Sequence, residues 1–205
     1  MSTLDEKIRV GADQLKLTLS QGQISQLVRY AALIQKWNRA TRLVGDEGDD
    51  ALALQILDSL AILRLSLPEA ACLDIGSGAG LPGIPLAIVR ADIPIELLEP
   101  RERRASFLSE AKRLLNLANV TIVCDRLEKR SYSADTLAMA KAVAPPPRLL
   151  QMADQAGLKQ VVVMANQKTE ASAAGNGWTA LERDIVPLRF KPEHVNILLR
   201  KDEPT

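Results

Sequence analysis

Histidine, cysteine and aromatic residues are scarce in this chain of 205 residues, which contains one histidine, two cysteines and 3% aromatics. A single histidine, His194, leaves little material for a histidine-rich zinc site or a Ser-His-Asp triad. The two cysteines, Cys72 and Cys124, lie in apolar runs and are predicted to be buried core thiols rather than a disulfide or a metal pair. We therefore expect no metal site, and a core built from Leu, Ile, Val and Ala.

Long apolar runs and an excess of one charge are also absent. The N-terminus has no apolar signal stretch and no run approaches membrane-spanning length, so a cytoplasmic protein with no membrane partner is expected. The formal net charge is +1. A nucleic-acid binder of this composition must therefore concentrate its positive charge on one face. The length suits one compact unit, expected to be a monomer.

The chain is helical in pattern before about residue 68. Apolar residues at helical spacing predict one helix over about 24–37 and a second near 50–65. Ser20 and Gln23 form a capping-box pattern at the start of the first helix. We therefore predict an N-terminal helical cap over residues 1–67.

After residue 68, short apolar runs alternate with helical segments. Strands are predicted at 71–75, 93–98, 120–124, 136–139 and 161–164. Alternation of this kind is typical of βαβ units and predicts an α/β fold, a Rossmann-like doubly wound sheet that is mostly parallel. Two last strands, at 182–190 and 194–200 with a turn at 191–193, predict an antiparallel C-terminal hairpin. The core is expected to cover residues 68–205 and to form one compact unit with the cap.

A glycine-rich turn follows the first predicted strand and opens a helix. Gly76, Gly78 and Gly80 allow left-handed dihedrals and a close approach of the backbone to a ligand. Glu99, at the end of the next strand, stands where an acid binds a ribose diol. This arrangement serves either a dinucleotide, whose pyrophosphate lies on a helix N-terminus, or S-adenosylmethionine.

The spacing within the turn favours the methyl donor. Gly76, Gly78 and Gly80, with Asp74 two residues earlier, resemble the first motif of class I methyltransferases. The competing GxGxxG pattern starts late in the turn, at Gly78, and contains Pro82. S-adenosylmethionine is therefore the predicted cofactor, and an NAD-dependent oxidoreductase is an alternative.

Several segments together resemble the bacterial rRNA guanine-N7 methyltransferases, also called glucose-inhibited division protein B. The matching segments are KWN at 36–38, LDSL at 57–60, GSGAGLPGIPL at 76–86, LLE at 97–99, Arg103-Arg104, Phe107-Leu108, Asn119-Val120 and Arg126-Leu127-Glu128. The resemblance runs from about residue 20 to 200. It implies methylation of guanine N7 in small-subunit rRNA, with rRNA or the small ribosomal subunit as partner. A degenerate relative that keeps the donor pocket but has lost or changed the RNA reaction is a second alternative.

The resemblance also implies roles for single residues. The residues implied to contact the donor are Gly76, Gly78, Gly80, Leu81, Glu99, Leu127, Glu128 and Lys141. Among them, Glu99 would take the ribose hydroxyls, and Leu127 and Glu128 would lie beside the adenine. Lys141 and Asp58 are candidates for positioning the substrate, although Asp58 has the alternative of a hydrogen bond inside its own helix. No acid–base residue is assigned, because guanine N7 has a lone pair and no proton to remove.

Basic residues crowd the predicted helix at 101–117 and follow the third strand, and a further group lies near the end of the first predicted helix. They are Arg101, Arg103, Arg104, Lys112, Arg113, Arg126, Lys129, Arg130, Lys36, Arg39 and Arg42. Arg103, Arg104 and Arg126 are the candidates for RNA contact, and Arg104 is also a candidate for the donor site. The alternative is a solvated helix face balanced by Glu102 and Glu110.

The two tryptophans carry separate expectations. Trp178, in the glycine-rich stretch 175–178, is a candidate for stacking on a base. Trp37 is expected to anchor its amphipathic helix in the core.

The chain departs from the family pattern on the substrate side. Arg42 replaces an asparagine, Gln55 a histidine, Lys141 an arginine, and Ala165-Asn166 a Lys-Gly pair. Replacing arginine by lysine removes the planar fork that grips a phosphate or carboxylate bidentately. The donor turn is intact, so these departures bear on the RNA reaction rather than on donor binding.

Overall fold

The computed structural model describes residues 2–166, 177–188 and 194–202. Three helices precede the first strand: α1 (Leu4–Gln14), α2 (Gln21–Thr41) and α3 (Asp49–Leu60), the last continued by a 3₁₀ turn (Ala61–Arg64). The two helices predicted near 24–37 and 50–65 are confirmed. The first begins at the predicted capping box and ends at Thr41, beyond the predicted end near residue 37.

Helix α1 was not predicted, although its first residues carry a readable signal. The Thr3 hydroxyl accepts a hydrogen bond from the Glu6 backbone N–H, and the Glu6 carboxylate accepts one from Thr3 N–H at 2.9 Å. This is a complete capping box, like the one confirmed at Ser20 and Gln23 for α2. The pattern at Thr3 and Glu6 is therefore sufficient to start a helix there.

Seven strands follow, with three helices between them. The strands are β1 (Cys72–Ile75), β2 (Ile95–Leu98), β3 (Val120–Val123), β4 (Leu137–Lys141), β5 (Gln160–Asn166), β6 (Trp178–Ile185) and β7 (His194–Lys201). The helices are α4 (Gly83–Val89), α5 (Glu102–Leu114) and α6 (Pro146–Gln155). All seven strands form one sheet in the order β3-β2-β1-β4-β5-β7-β6.

The sheet is parallel from β3 to β5, and β7 runs antiparallel to both β5 and β6. Helices α1 to α5 share one hydrophobic cluster with one face of the sheet, and α6 packs on the other face. The mostly parallel sheet with helices on both faces and an antiparallel C-terminal strand pair is thereby confirmed. Because the cap helices share their core with the sheet, the boundary at residue 67 stays a prediction. No helix among the described residues is both long and apolar enough to cross a membrane.

The last strand pair differs from the prediction in its bounds. Strand β6 begins at Trp178, four residues before the predicted start, and ends at Ile185; the predicted turn at 191–193 lies outside the described residues. As an edge strand, β6 has mostly exposed or half-buried side chains after Trp178, so it lacks the apolar run that marks the other strands.

Two predictions about single side chains were wrong. Trp178 is 3% exposed and packs in the second core cluster with the Lys201 ammonium 5.7 Å from its ring centroid, so it is not available to stack on a base. Cys124 is exposed, because it lies just past the end of β3 at the edge of the sheet. Cys72 is buried as predicted, and Trp37 packs edge-on against Phe107 with ring centroids 5.7 Å apart.

The C-cap of α2 offers a test of backbone strain. Arg42 has φ 45° and ψ 63°, the left-handed region that Asn and Gly adopt more readily than other residues. We expect Arg42→Asn to raise the free energy of unfolding by roughly 1 kcal/mol in urea denaturation. The control is Arg39→Asn, which removes the same charge from a right-handed helical position and should lower stability by a few tenths of a kcal/mol. Equal stabilisation by both variants would show that charge, not backbone geometry, is responsible.

Candidate functional site

The site lies where the parallel strands β1, β2 and β4 end at the same edge of the sheet. Strand β1 pairs with both β2 and β4, and Ile75 at its end lies opposite Leu98 and Ala140. Ligands of open α/β sheets bind at this carboxyl edge. Glu99 and Lys141, each one residue beyond those partners of Ile75, are therefore level with Gly76.

The three predicted glycines serve different purposes in the turn. Gly76, Gly78 and Gly80 all have positive φ, at 65°, 57° and 86°. A Cβ on Gly80 would lie 2.5 Å from Ile84, so this glycine permits packing against α4. A Cβ on Gly78 would instead lie 3.6 Å from Nη1 of Arg104, an ordinary contact distance, so the positive φ rather than crowding favours glycine there. Gly78 is therefore the position where the turn lies beside the Arg104 guanidinium.

Hydrogen bonds of the buried residue Asp74 fix the conformation of the turn. Its side chain is fully buried, and its Oδ2 accepts a hydrogen bond from Gly83 N–H at 3.0 Å at the start of α4. The Ser77 hydroxyl donates to the Asp74 carbonyl at 2.9 Å. Burial raises the pKa of Asp74 to about 7, and the Gly83 hydrogen bond opposes that rise.

Tyr30 connects the cap to the turn, which the sequence did not indicate. This fully buried residue of α2 donates its hydroxyl to the Ala79 carbonyl at 2.5 Å. Burial, and next the charge of Asp74, raise the pKa of Tyr30 well above its ordinary value, so the phenol stays a neutral donor. A lone tyrosine at a core position of a helix carries no sequence signal for a partner 49 residues away.

Glu99 is held rigidly beside the turn. Its side chain is 3% exposed; Oε2 accepts from Gly78 N–H and Oε1 from Arg101 N–H, both at 2.9 Å. Each carboxylate oxygen can accept a further hydrogen bond. The predicted ribose-binding acid is therefore oriented by the same turn that would hold the rest of the ligand.

The other predicted donor residues lie around this edge. Leu81, at the end of the turn, is half-buried against the first core cluster. Leu127 and Glu128 belong to a 3₁₀ turn (Leu127–Lys129) after β3; the Leu127 side chain is 3% exposed and that of Glu128 is exposed. Since the Leu127 side chain is in the core, a ligand would meet this residue through its backbone.

The three arginines predicted to contact RNA separate into two groups. Arg103 and Arg126 are exposed, whereas Arg104 is half-buried and its guanidinium lies against Gly78. The structure therefore places Arg104 at the donor turn and the other two on the surface around it.

Asp58, Lys141 and His194 meet in one cluster. Asp58 is 1% exposed and pairs through Oδ2 with Lys141 Nζ at 2.8 Å and through Oδ1 with His194 Nδ1 at 2.9 Å. The two predicted positioning residues are thus in direct contact, and His194 joins them from β7. Attraction to Lys141 also lowers the pKa of Asp74, which counters part of the rise caused by burial and ties the cluster to the donor turn.

The departures at Gln55 and at Ala165-Asn166 lie near this cluster along the chain or across the sheet. Gln55 is half-buried on α3, one turn before Asp58. Ala165 and Asn166 end β5, where Asn166 lies opposite His194. Among residues 2–166, 177–188 and 194–202 no group of three or more His, Cys, Asp or Glu side chains is placed to hold a metal ion.

Comparison with known families gives one match over most of the chain. The family model described as rRNA small subunit methyltransferase G matches residues 23–203. The chain is 32% identical over 162 residues to a protein of Paracoccus denitrificans named ribosomal RNA small subunit methyltransferase G; the match covers 76% of this chain and 84% of that protein. It is 38% identical over 127 residues to a protein of the same name from Methylobacillus flagellatus. The Methylobacillus match covers 62% of each protein, so the chain spans about three fifths of that relative.

Solved structures agree in fold. An MtNAS mutant in complex with S-adenosylmethionine has a TM-score of 0.58 at 12% identity, covering 84% of this chain and 73% of that one. The putative methyltransferase yhhF from Escherichia coli has a TM-score of 0.52 at 13% identity, covering 70% and 82%. The class I methyltransferase fold is confirmed, and these findings support neither the oxidoreductase nor the degenerate relative.

The buried carboxyl of Asp74 predicts a pH-dependent stability. Between about pH 4 and 7 the unfolded chain has released this proton while the folded chain holds it, so the free energy of unfolding falls as the pH rises. Because Asp74→Asn removes this titration, the stability of the variant relative to the wild type should rise by about 1.4 kcal/mol per pH unit over that range, measured by urea denaturation.

The control is Asp92→Asn. Asp92 is exposed and its pKa is lowered by a hydrogen bond from Arg90, so the stability difference of this variant should not change with pH between 5 and about 7. A pH-independent difference for Asp74→Asn as well would show that the Asp74 carboxyl is ionised throughout this range.

Proposed function

Because the chain belongs to the rRNA small subunit methyltransferase G family, we propose that it transfers a methyl group from S-adenosylmethionine to a guanine N7 of small-subunit rRNA. The observation that carries the proposal is the glycine turn at the carboxyl edge of the sheet, in which Gly78 N–H fixes the Glu99 carboxylate at 2.9 Å. This hydrogen bond orders a ribose-binding acid at the edge of the sheet where α/β proteins bind ligands.

The residues of the turn fit the cofactor. Glu99 retains acceptor capacity for two ribose hydroxyls after binding the two backbone N–H groups. The Arg104 guanidinium lies beside Gly78 and brings a positive charge to the turn. When bound, S-adenosylmethionine supplies a methyl group on a positively charged sulfur. The donor-contact residues named from the family resemblance are all part of this proposal.

Arg104 is assigned to the donor rather than to RNA. Its guanidinium is half-buried beside Gly78, and the cofactor carries an α-carboxylate. Guanidinium and carboxylate form charge-assisted, often bidentate hydrogen bonds. An arginine in this place therefore anchors the amino-acid end of the donor.

Methyl transfer requires the protein to orient the base and does not require it to move a proton. Guanine N7 has a free lone pair, so no general base is required and the rate gain comes from proximity and alignment. Lys141 is level with Gly76, one residue beyond the pairing of Ala140 with Ile75, so its backbone lies beside the turn that would hold the donor.

Exposed arginines around the turn provide the RNA-binding surface. Arg101, Arg103 and Arg126 are exposed and none of them forms an ion pair with a residue that the structure describes. Arg113, farther along α5, pairs with Glu110 at 3.0 Å, so that end of the helix fits the solvated-face alternative. The phosphate contacts are therefore assigned to the end of the helix nearest the donor turn. A cytoplasmic location and a monomeric state stay predictions.

The proposal is tested by methyl transfer. Small ribosomal subunits and free small-subunit rRNA, both lacking guanine-N7 methylation, are incubated with the protein and S-adenosylmethionine carrying a labelled methyl group, and the modified base is mapped. We expect label at N7 of one guanine, and loss of most activity in Glu99→Ala. If the protein binds the donor in the same preparation but labels no guanine, the proposed reaction is wrong.

Arg104 and Arg103 form a matched pair for separating donor binding from RNA binding. Arg104→Ala should weaken S-adenosylhomocysteine binding about 10-fold or more in calorimetry, because a charge-assisted hydrogen bond is lost. Arg103→Ala should leave that affinity unchanged. It should reduce the slope of RNA affinity against salt concentration by about the amount expected for one lost phosphate contact. The opposite pattern would show that Arg104 contacts RNA rather than the donor.

A further inference from the structure

Helices α2 and α5 pack against each other in opposite directions. Arg29 of α2 donates to the carbonyl of Leu114 at the end of α5 at 2.7 Å. Farther along α2, Trp37 packs edge-on against Phe107, with ring centroids 5.7 Å apart. The contacts thus move forward along α2 and backward along α5. Because α5 begins just after the carboxyl end of β2, the end of α2 also lies at the edge of the sheet that carries the donor turn.

Three exposed basic residues lie on the last two turns of α2 and at its C-cap. They are Lys36, Arg39 and Arg42, and none of them forms an ion pair within the part of the chain that the structure describes. Lys36 and Arg39 are three residues apart, so they are neighbours on the helix surface. Their charges are therefore not used in holding the described parts of the fold together.

Arg103 of α5 faces the same side. It precedes Phe107 by four residues, so it lies on the face of α5 that is turned towards Trp37, and it is exposed. Trp37 is half-buried and Phe107 is buried, so the two rings lie beneath the line where the helices meet. Basic residues of both helices therefore border one surface groove, with Lys36 next to Trp37 on one side and Arg103 on the other.

Lys36 reaches across to this same face of α5. Glu110 lies seven residues after Arg103, two helical turns and about 10 Å along α5. The pKa of Glu110 is lowered first by its hydrogen bond from Arg113 and further by the charge of Lys36, so the Lys36 ammonium lies near it. Arg113 already donates two hydrogen bonds at 3.0 Å to that carboxylate. Lys36 therefore keeps its N–H donors for another partner.

The acidic stretch at 46–50, which follows α2, has other partners. The Asp49 carboxylate accepts a hydrogen bond from the Gln35 amide at 3.2 Å, and the Asp50 carboxylate pairs with Lys7 of α1 at 2.7 Å. These contacts hold the stretch beside the middle of α2 and beside α1. The basic residues at the end of α2 are thus not neutralised by the acids that come next in the chain.

We propose that the groove between α2 and α5 binds the sugar–phosphate backbone of the RNA strand beside the target guanine, with Lys36, Arg39 and Arg42 as phosphate contacts. The inference rests on the proposed function and extends the RNA-binding surface from Arg103 onto the cap. A phosphate backbone is the partner that fits, because arginine binds phosphate bidentately through its planar fork and lysine binds it as a point charge.

The backbone of Arg42 supports a role outside folding. Its φ of 45° lies in the left-handed region, which is unfavourable for a residue other than Asn or Gly. An exposed side chain without an ion pair among the described residues does not offset that cost in the free protein, whereas a phosphate contact would offset it in the complex. The competing explanation is that positive charge near the end of α2 stabilises the negative end of the helix dipole.

The first test measures RNA binding without methyl transfer. A fluorescent single-stranded RNA centred on the mapped guanine is titrated with the full chain in the presence of S-adenosylhomocysteine, at several KCl concentrations. Lys36→Gln, Arg39→Gln and Arg42→Asn should each lower the slope of log affinity against log salt by about 0.7, and weaken binding about 5-fold near 0.1 M salt. If none of the three changes the slope, the inference is overturned and the proposed function stands.

The control is Arg148→Gln. Arg148 is equally exposed but lies on α6, which packs on the opposite face of the sheet, so its loss should leave the slope unchanged. If no guanine is methylated and none can be mapped, the proposed function has failed. The same titration with an oligouridylate of equal length then tests the groove by itself, with the same changes of slope expected.

A second measurement separates phosphate binding from helix stability. Contacts to the RNA backbone away from the transferred methyl group should raise KM for RNA in the three variants, and leave kcat and S-adenosylhomocysteine affinity nearly unchanged. Arg42→Asn should weaken RNA binding although it makes the fold more stable, and Arg39→Lys should keep most of the slope that Arg39→Gln loses. If Arg42→Asn gains stability with an unchanged slope, or Arg39→Lys fails to keep the slope, the charges serve only the end of α2 and the inference is wrong.

Discussion

The hydrogen bond from Gly83 N–H to the buried Asp74 carboxyl is the constraint on which the site depends. One oxygen of this fully buried carboxyl caps the start of α4, and the Ser77 hydroxyl binds the backbone carbonyl of the same residue. The other oxygen, Oδ1, has no hydrogen-bond partner in the described part of the chain, which fits a carboxyl whose pKa burial raises to about 7. These bonds set the path of the chain between β1 and α4. The path in turn aims Gly78 N–H at Glu99, so the ribose-binding acid is ordered by a residue that no ligand touches.

The cap helices belong to this site rather than to a separate unit. The side chains of two buried polar residues of the cap make contacts at the carboxyl edge of the sheet. Tyr30 binds the turn at Ala79, and Asp58 binds Lys141 and His194. The Tyr30 contact lies inside the core and the Asp58 carboxylate is buried, and in such places a hydrogen bond or ion pair is strongest and an unpaired group is most costly. Displacing the cap would therefore release the donor turn and the cluster around Asp58 together.

The sequence predicts those parts of the fold that depend on local pattern. The glycine turn, Glu99 and the alternating strands and helices are readable because each signal lies within one segment or at one strand end. The capping box at Thr3 and Glu6 is equally local. The bond of Tyr30 to Ala79 and that of Asp58 to His194 span 49 and 136 residues, so they follow only from the packed arrangement of the helices and the sheet. The class of donor was therefore predictable from the sequence, and the cluster around Asp58 was not.

The contacts of Asp58 give a physical reason why a lysine stands at position 141. The family pattern has an arginine there, and a guanidinium can take both oxygens of a carboxylate through its planar fork. In this chain Asp58 divides its oxygens, one to the Lys141 ammonium and one to the His194 ring. An arginine at this position would compete with His194 for Oδ1 of Asp58. The hydrogen bond that keeps the proton on Nδ1 of His194 would then be weaker. The departure at Lys141 is thus coupled to the contact between Asp58 and His194.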